Sequence, residues 1–177
     1  MTAIGFDRSG DVLLSASLDR SVKLTHPRFG DAVVSPIKHS DGIVHARFSP
    51  DGSKILTVSR DMTARIWSFE RPATLSPPLK RGVVLPAFGA FAAFNHDGSL
   101  VLTANDKGRT VVWKAGTDGP ATEEFQHRGR ISHAQFTRDG KRVVLATGLL
   151  QPQGQFSVWD LSQTPPAQIG ELSLIHI

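Results

Sequence analysis

One pattern recurs four times along this chain and limits what the chain can fold into. The segments FDRSGDVLLSASLDRSVKLT from Phe6, FSPDGSKILTVSRDMTARIW from Phe48, FNHDGSLVLTANDKGRTVVW from Phe94 and FTRDGKRVVLATG from Phe136 align without gaps. Successive Phe residues stand 42, 46 and 42 positions apart. Within Phe48–Trp67, Ser-Pro-Asp-Gly is turn chemistry: Pro presets φ, Asp bonds to nearby backbone, and Gly accepts positive φ. Lys54–Ser59 then alternates apolar and β-branched residues as a strand does, Arg60-Asp61-Met62 reverses the chain, and Thr63–Trp67 is strand again. The position nineteen residues after Phe holds Thr25, Trp67 or Trp113 in the first three segments. In the fourth, Trp159 comes twenty-three residues on, because the turn within Gly148–Gln155 is longer.

A fourth strand fits between each of these positions and the next Phe, at Asp31–Ile37, Leu75–Lys80, Ala121–Gln126 and Ala167–Leu172. Pro36, Pro77 and Pro78 in or beside these stretches have no N–H to give a ladder, which suits an outermost edge strand. No stretch sustains helical periodicity. A period of ~40–45 residues with four strands each therefore predicts an all-β chain, a β-propeller fragment of about four four-stranded blades. The repeat units are expected at residues 1–37, 38–80, 81–126 and 127–171. The last six residues, Leu172–Ile177, look like the translation of a sequencing-library adapter and read as a scar outside the array, which leaves the array as part of a larger ring.

Composition narrows the rest. With no Cys among 177 residues, disulfides and thiolate metal sites are excluded. There is no long apolar run to span a membrane, and Met1–Phe6 lacks a basic region followed by an apolar one, so a cytoplasmic setting is expected. The formal charge of +4 comes from 20 basic against 16 acidic residues. The acids are interspersed, which reads as a solvated surface rather than a nucleic-acid face. Neither a GxxxxGK[ST] nor a GxGxxG phosphate loop occurs, and no cofactor is expected.

Phe-Ser-Pro-Asp-Gly, then Leu-Thr-x-Ser-x-Asp, then Arg-Ile-Trp resembles the WD-repeat propeller family, and the resemblance runs through nearly the whole chain. The Pro-rich outer strand followed by Lys38-His39-Ser40-Asp41-Gly42 looks most like bacterial members, in which such arrays often accompany a protein kinase domain. The resemblance implies a bracing network of a return-loop His, a second-strand Ser or Thr, a turn Asp and the third-strand Trp. His39, Thr57 (with Ser59 as the alternate hydroxyl), Asp61 and Trp67 match it in the second repeat. The first repeat has Ser15 and Asp19 but Thr25 in place of Trp. The third has Thr103 and Trp113, with Lys107 at the Asp register and Leu85 at the His register. The fourth keeps His127 and Trp159, with Leu145 and no Asp. Polar bracing is thus expected to be strong in one blade and weak in the others, because buried polar groups need partners.

Such a protein is expected to be a non-catalytic scaffold for protein–protein interaction. Partners would dock on the face carrying the return loops and the turns between second and third strands. Asp41, Arg60, Lys107, Arg109, Arg128, Arg130, Leu149 and Leu150 are the candidates there. Thr57, His39 and Asp61 are also the residue types of a catalytic triad, but their positions coincide with the bracing set. His45 and His133 share a register three residues before the repeat Phe, where the third repeat has Phe91, and read as channel-lining residues rather than metal ligands. Two other classes stand beside the scaffold: a basic-rim binder of nucleic acid or polyphosphate, and an accessory propeller of a larger enzyme such as a protein kinase. The absence of Tyr and the scarcity of rim aromatics argue against base stacking.

Overall fold

In the computed structural model, residues 1–68, 80–86, 89–105, 107–117, 119–129, 131–147 and 155–173 are described. They form four four-stranded sheets and, among the described residues, no helix. The first sheet comprises β1 (Ala3–Phe6), β2 (Leu13–Ala16), β3 (Ser21–Thr25) and β4 (Ile37–Lys38). The second holds β5 (Ile43–Phe48), β6 (Lys54–Ser59), β7 (Thr63–Ser68) and β8 (Lys80–Pro86). The third holds β9 (Gly89–Phe94), β10 (Leu100–Asn105), β11 (Arg109–Lys114) and β12 (Phe125–Gln126), and the fourth β13 (Ile131–Phe136), β14 (Arg142–Thr147), β15 (Gln155–Asp160) and β16 (Ala167–Ser173). Each sheet is an antiparallel meander in chain order, the strand order of a WD-type blade.

The turn between the first two strands is the most regular element. Gly10, Gly52, Gly98 and Gly140 all take φ between 68° and 80°, and the turn closes by Asp7 N to Val12 O, Ser49 N to Lys54 O, Asn95 N to Leu100 O and Thr137 N to Arg142 O, each at 2.8–3.0 Å. Only Gly adopts that φ without strain, which is why the dipeptide ending in Gly marks every repeat. With the turn fixed, register follows. Ile55 lies opposite Trp67, Val101 opposite Trp113 and Val143 opposite Trp159. In the first sheet Leu13 faces Thr25 at the same place.

The chain divides into two compact units, Met1–Gly89 and Ala90–Ile177. In the first, Leu14, Ala16, Val22 and Leu24 of the first sheet pack on Ala46, Ile55 and Trp67 of the second, with Val33, Val34 and Ile37 along the seam. In the second, Leu102, Ala104, Val112 and Phe125 pack on Ala134, Phe136, Val143, Leu145 and Trp159. Burying one such side chain contributes about 1.5–3 kcal/mol, so this sheet-on-sheet contact dominates the stability of each unit. β6 is buried on both faces from Ile55 to Ser59, whereas β2 buries only Leu14 and Ala16.

The outer strands differ most from expectation. The second sheet's outer strand is Lys80–Pro86, so the expected Leu75–Lys80 shares only Lys80 with it. The rest of the expected strand, with Pro77 and Pro78, falls in residues 69–79, outside the described residues. The expected boundary after residue 80 therefore falls inside β8. Leu85, expected at the return-loop His register, instead pairs with Ala64 in that strand, as Ile37 pairs with Val22 in the first sheet. In the first and third sheets the outer strand shrinks to two residues, supplemented by single bridges from Thr25 to Ala32 and from Trp113 to Pro120. Leu172 and Ser173, read as the start of a tail, pair with Phe156 and Gln155 in β16, while residues 174–177 lie outside the described residues.

Candidate functional site

The densest polar cluster lies in the second sheet, where its return loop meets its β6–β7 turn. His39 follows β4, and its backbone N–H donates to Arg20 O at 3.0 Å, so the loop starts from the first sheet's own turn. Its ring reaches into the second sheet. Nδ1 lies 3.0 Å from Asp61 Oδ2 and Nε2 lies 2.7 Å from Thr57 Oγ1, and Trp67 Nε1–H donates to the same Oγ1 at 2.9 Å. Thr57 Oγ1 thus sits between the Trp67 indole, His39 Nε2 and, at 3.3 Å, the Arg65 carbonyl, while His39 Nδ1 meets the Asp61 carboxylate.

Asp61 also accepts from Ser40 N, Thr63 N, Thr63 Oγ1 and Arg65 Nη2, at 2.6–3.1 Å. Burial alone would raise its pKa. Donation from Thr63, His39 and the Ser40 amide outweighs that and lowers it to about 2. Ser59 extends the cluster, donating from Oγ to Asp41 O and accepting from Asp61 N. Thr57 is 0% exposed and its oxygen already accepts the Trp67 N–H, so this hydroxyl has no path to a substrate carbonyl and braces rather than attacks.

The other sheets solve the same problem with different residues. In the fourth, Leu145 occupies the Thr57 position, yet Trp159 Nε1–H still donates to a hydroxyl, that of Ser157 at 2.9 Å. Ser157 Oγ lies 3.1 Å from His127 Nδ1. The hydroxyl has moved one strand across, since Ser157 pairs directly with Leu145. Sequence alignment to a second-strand Ser or Thr misses it; the signal was a Ser two residues before the Trp. His127 Nε2 is buried and has no partner among the described residues. Burial lowers the His127 pKa, with Glu171 opposing.

In the third sheet Trp113 Nε1–H donates to Thr103 Oγ1 at 2.8 Å, and Asn105 caps the turn by accepting from Lys107 N and Arg109 N at 2.9 and 2.8 Å. Gly108 there has φ +84°, and a Cβ on it would sit 2.0 Å from His127 O, so close approach of the return loop requires Gly. In the first sheet Asp19 accepts from Ser21 N and Oγ within its own turn, and Ser15 is half-buried on β2.

Among the rim candidates, Asp41 and Arg60 are exposed and adjacent, with Arg60 N donating to Gly42 O at 2.9 Å. Lys107, Arg109 and Arg128 are exposed in the second unit. Arg109 is committed to Glu124 through two bonds of 2.7 Å, which neutralises it. Arg130, Leu149 and Leu150 lie outside the described residues.

Two residues absent from the expected set stand at the same end of the first unit. Leu18 is 49% and Met62 63% exposed, one in each β-turn that follows a second strand. Met62 holds φ 62°, as Arg20 holds 75°, a conformation that costs a non-Gly residue of order 1 kcal/mol. His45 and His133 both sit at register shifts in their inner strands, and His133 packs against Phe91 with ring centroids 5.4 Å apart. Among the described residues, no three His, Asp or Glu side chains come together as a metal site would need.

The geometry of residues 39–67 corresponds to a known repeat. Residues 32–68 match the WD domain, G-beta repeat family. The matched stretch runs from the bridge at Ala32 through the end of β7 and contains the whole His39–Thr57–Asp61–Trp67 cluster. Apoptotic protease-activating factor 1 of Homo sapiens is 29% identical over 147 residues, covering 78% of this chain and 12% of that protein. A Periodic tryptophan protein 2 homolog from Neurospora crassa is 27% identical over 162 residues, 81% of this chain and 18% of that protein. A WD repeat-containing protein 26 homolog from Drosophila melanogaster is 30% identical over 132 residues, 70% of this chain and 20% of that protein. The chain thus spans between 12% and 20% of the length of these three WD-repeat-type relatives.

Proposed function

We propose that the four sheets are blades of a WD-repeat propeller that works as a non-catalytic scaffold, binding a protein partner on the end that carries the return loops and the turns after each second strand. One observation carries the reading. At that end of the first unit, Leu18 and Met62 are exposed beside Asp41 and Arg60, Met62 on the turn that the Asp61 cluster braces and Leu18 on the turn that Asp19 and Ser21 close. Apolar anchors flanked by charges of both signs suit a protein surface, in which desolvated side chains supply the affinity and the charges set orientation. Rigid turns also lose little entropy on binding.

A photo-crosslinking residue placed at Met62 should capture a partner, while one at Ser53, in the turn at the opposite end of the same sheet, should not. Equal capture from both positions, or capture from Ser53 alone, would move the interface elsewhere. The rival nucleic-acid reading is weakened by the Arg109–Glu124 pair, which removes one cation from the rim. Sub-micromolar binding of single-stranded or duplex nucleic acid at near-physiological salt, lost on Arg128→Glu, would replace the scaffold reading.

A further inference from the structure

The chain has five Asp-Gly pairs, and four fall wholly within the described residues: Asp41–Gly42, Asp51–Gly52, Asp97–Gly98 and Asp139–Gly140. All four aspartates are exposed, so access to water does not separate them. The direction of the glycine amide does. Gly52, Gly98 and Gly140 hold φ between 68° and 77°, and each N–H donates to the carbonyl three residues back. Gly52 reaches Ser49 O at 2.9 Å, Gly98 Asn95 O at 3.3 Å and Gly140 Thr137 O at 2.9 Å. Their aspartates turn forward instead: Oδ1 of Asp51, Asp97 and Asp139 accepts from Ser53 N, Ser99 N and Lys141 N at 2.8–3.0 Å. In these turns the amide and the carboxylate are committed to different partners. Donation from Ser49, Ser99 and Thr137 also lowers the pKa of Asp51, Asp97 and Asp139 respectively, and an ionised carboxylate resists attack at its carbon.

Asp41–Gly42 is folded the other way. The Gly42 N–H donates to Oδ1 of Asp41 itself at 2.6 Å, which sets the amide nitrogen against the carboxyl of the preceding side chain. The backbone on both sides is anchored. Ser40 N donates to Asp61 Oδ2 at 3.1 Å, Asp41 O accepts from Ser59 Oγ at 2.9 Å, and Gly42 O accepts from Arg60 N at 2.9 Å. Anchored neighbours hold nitrogen and carboxyl within reach, the condition under which an intramolecular step outruns the same step in a free chain. Gly42 is buried against the first sheet's turn, where an added Cβ would meet Leu18 O at 3.1 Å, so the residue that least obstructs the approach is also the one that fits.

We propose that Asp41–Gly42 is a modification site, at which the chain closes a succinimide and opens it to isoaspartate. The Gly42 nitrogen bonds to Asp41 Cγ, and its hydrogen, together with one proton from solvent, leaves with a carboxylate oxygen as water. Water then adds to the ring. Opening at the carbonyl on the Cα side routes the backbone through Cγ and frees the α-carboxylate, with no oxidant or cofactor consumed. The product lengthens the return loop by one methylene and makes the oxygen that accepts from Ser59 Oγ part of a free carboxylate. That carboxylate is the group a carboxyl methyltransferase would take. Formation of isoaspartate does not depend on the scaffold reading, so either can fail without the other.

The test is to age the whole chain in mildly acidic buffer at physiological temperature, both natively and in concentrated urea. Isoaspartate is then mapped peptide by peptide, by electron-transfer fragmentation and by enzymatic methylation of the freed carboxylate. In the native chain the Asp41–Gly42 peptide should convert about tenfold faster than those of Asp51, Asp97 and Asp139, a modest part of what positioning can supply. In urea the four rates should converge, since all four are Asp-Gly. Equal rates in the native chain overturn the proposal, as does faster conversion at any of the other three. A lead for Asp41 that persists unchanged in urea assigns it to flanking sequence and overturns the geometric argument. A native rate at Asp41 below its rate in urea overturns it as well, because the fold would then protect the pair.

Discussion

The second and fourth sheets place a histidine and a tryptophan in nearly the same relation, yet brace them differently. Ring centroids are 6.4 Å apart in both pairs, His39–Trp67 at 72° and His127–Trp159 at 84°. Both tryptophans donate to a hydroxyl at 2.9 Å. That hydroxyl comes from the second strand in one sheet and from the third in the other, so its position in space is fixed and its position in sequence is not. The carboxylate is the part without a substitute. Asp61 ties His39 to the Ser40 amide, Thr63 and Arg65, whereas among the described residues nothing takes the second nitrogen of His127. A buried nitrogen without a partner forfeits about 1–3 kcal/mol. The difference between the sheets is thus one of completeness, not of shape.

The largest expected effect tests whether the closed network adds to packing. Trp67 and Trp113 are equally buried, each 8% exposed, so Trp67→Ala and Trp113→Ala remove about the same area. Each should cost roughly 3–5 kcal/mol, with Trp67→Ala the worse because it unties a chain that ends on Asp61. Hydrogen exchange in β6 and β10 reads the two sites separately; equal losses would reduce the network to decoration.

Next comes Asp61→Asn, which removes the carboxylate and leaves the shape. It should destabilise the second sheet by about 2–3 kcal/mol, measured by denaturant midpoint, because several donors lose a charged acceptor.

Acid titration sharpens the comparison further, since the two sheets should respond in different windows. Asp61 has a folded pKa near 2 against an ordinary 3.8, so its contribution is complete above 3.8 and disappears as pH falls toward 2. Roughly 2 kcal/mol is at stake. His127 has a folded pKa below the ordinary 6.5. The fourth sheet is therefore most stable above 6.5 and weakens as pH falls below it, because the unfolded chain takes up the proton first. Exchange protection followed from pH 8 down to 3, over about that range, should fall first in β14 and β15 and only later in β6. Simultaneous loss would contradict both assignments. Ser157→Ala, which leaves the buried Trp159 indole and His127 both without that partner, should cost about 2 kcal/mol. Arg109→Ala, which breaks the exposed ion pair with Glu124, should leave the thermal midpoint nearly unchanged.

How much of this was legible in the sequence depends on whether a residue acts locally. The turns ending in Gly are local: backbone φ demands Gly, and each repeat displays it, so the sheets and their register could be read directly. His39, Thr57, Asp61 and Trp67 followed from the family resemblance, and the structure joins them through hydrogen bonds. Ser157 was not, because its equivalence to Thr57 runs across a strand pair and has no counterpart in linear spacing. The outer strand of the second sheet, expected at Leu75–Lys80, is described as Lys80–Pro86, a span that the sequence does not mark out. Leu18 and Met62 escaped notice because an exposed apolar residue in a turn looks like any other until its neighbours are placed around it.

His39 belongs to two sheets at once. Its amide is tied to Arg20 in the first sheet, and its ring completes the polar chain of the second. The segment that repeats along the gene product and the segment that folds are therefore out of phase. A segment from Phe6 to Phe48 holds the last three strands of one sheet, then His39, then the inner strand of the next. A new copy becomes a stable sheet only when inserted beside an existing one, so such an array grows by extension from within. Because one residue is bonded into both sheets, the first and second sheets should lose exchange protection together, which makes the pair, rather than the repeat, the unit of opening.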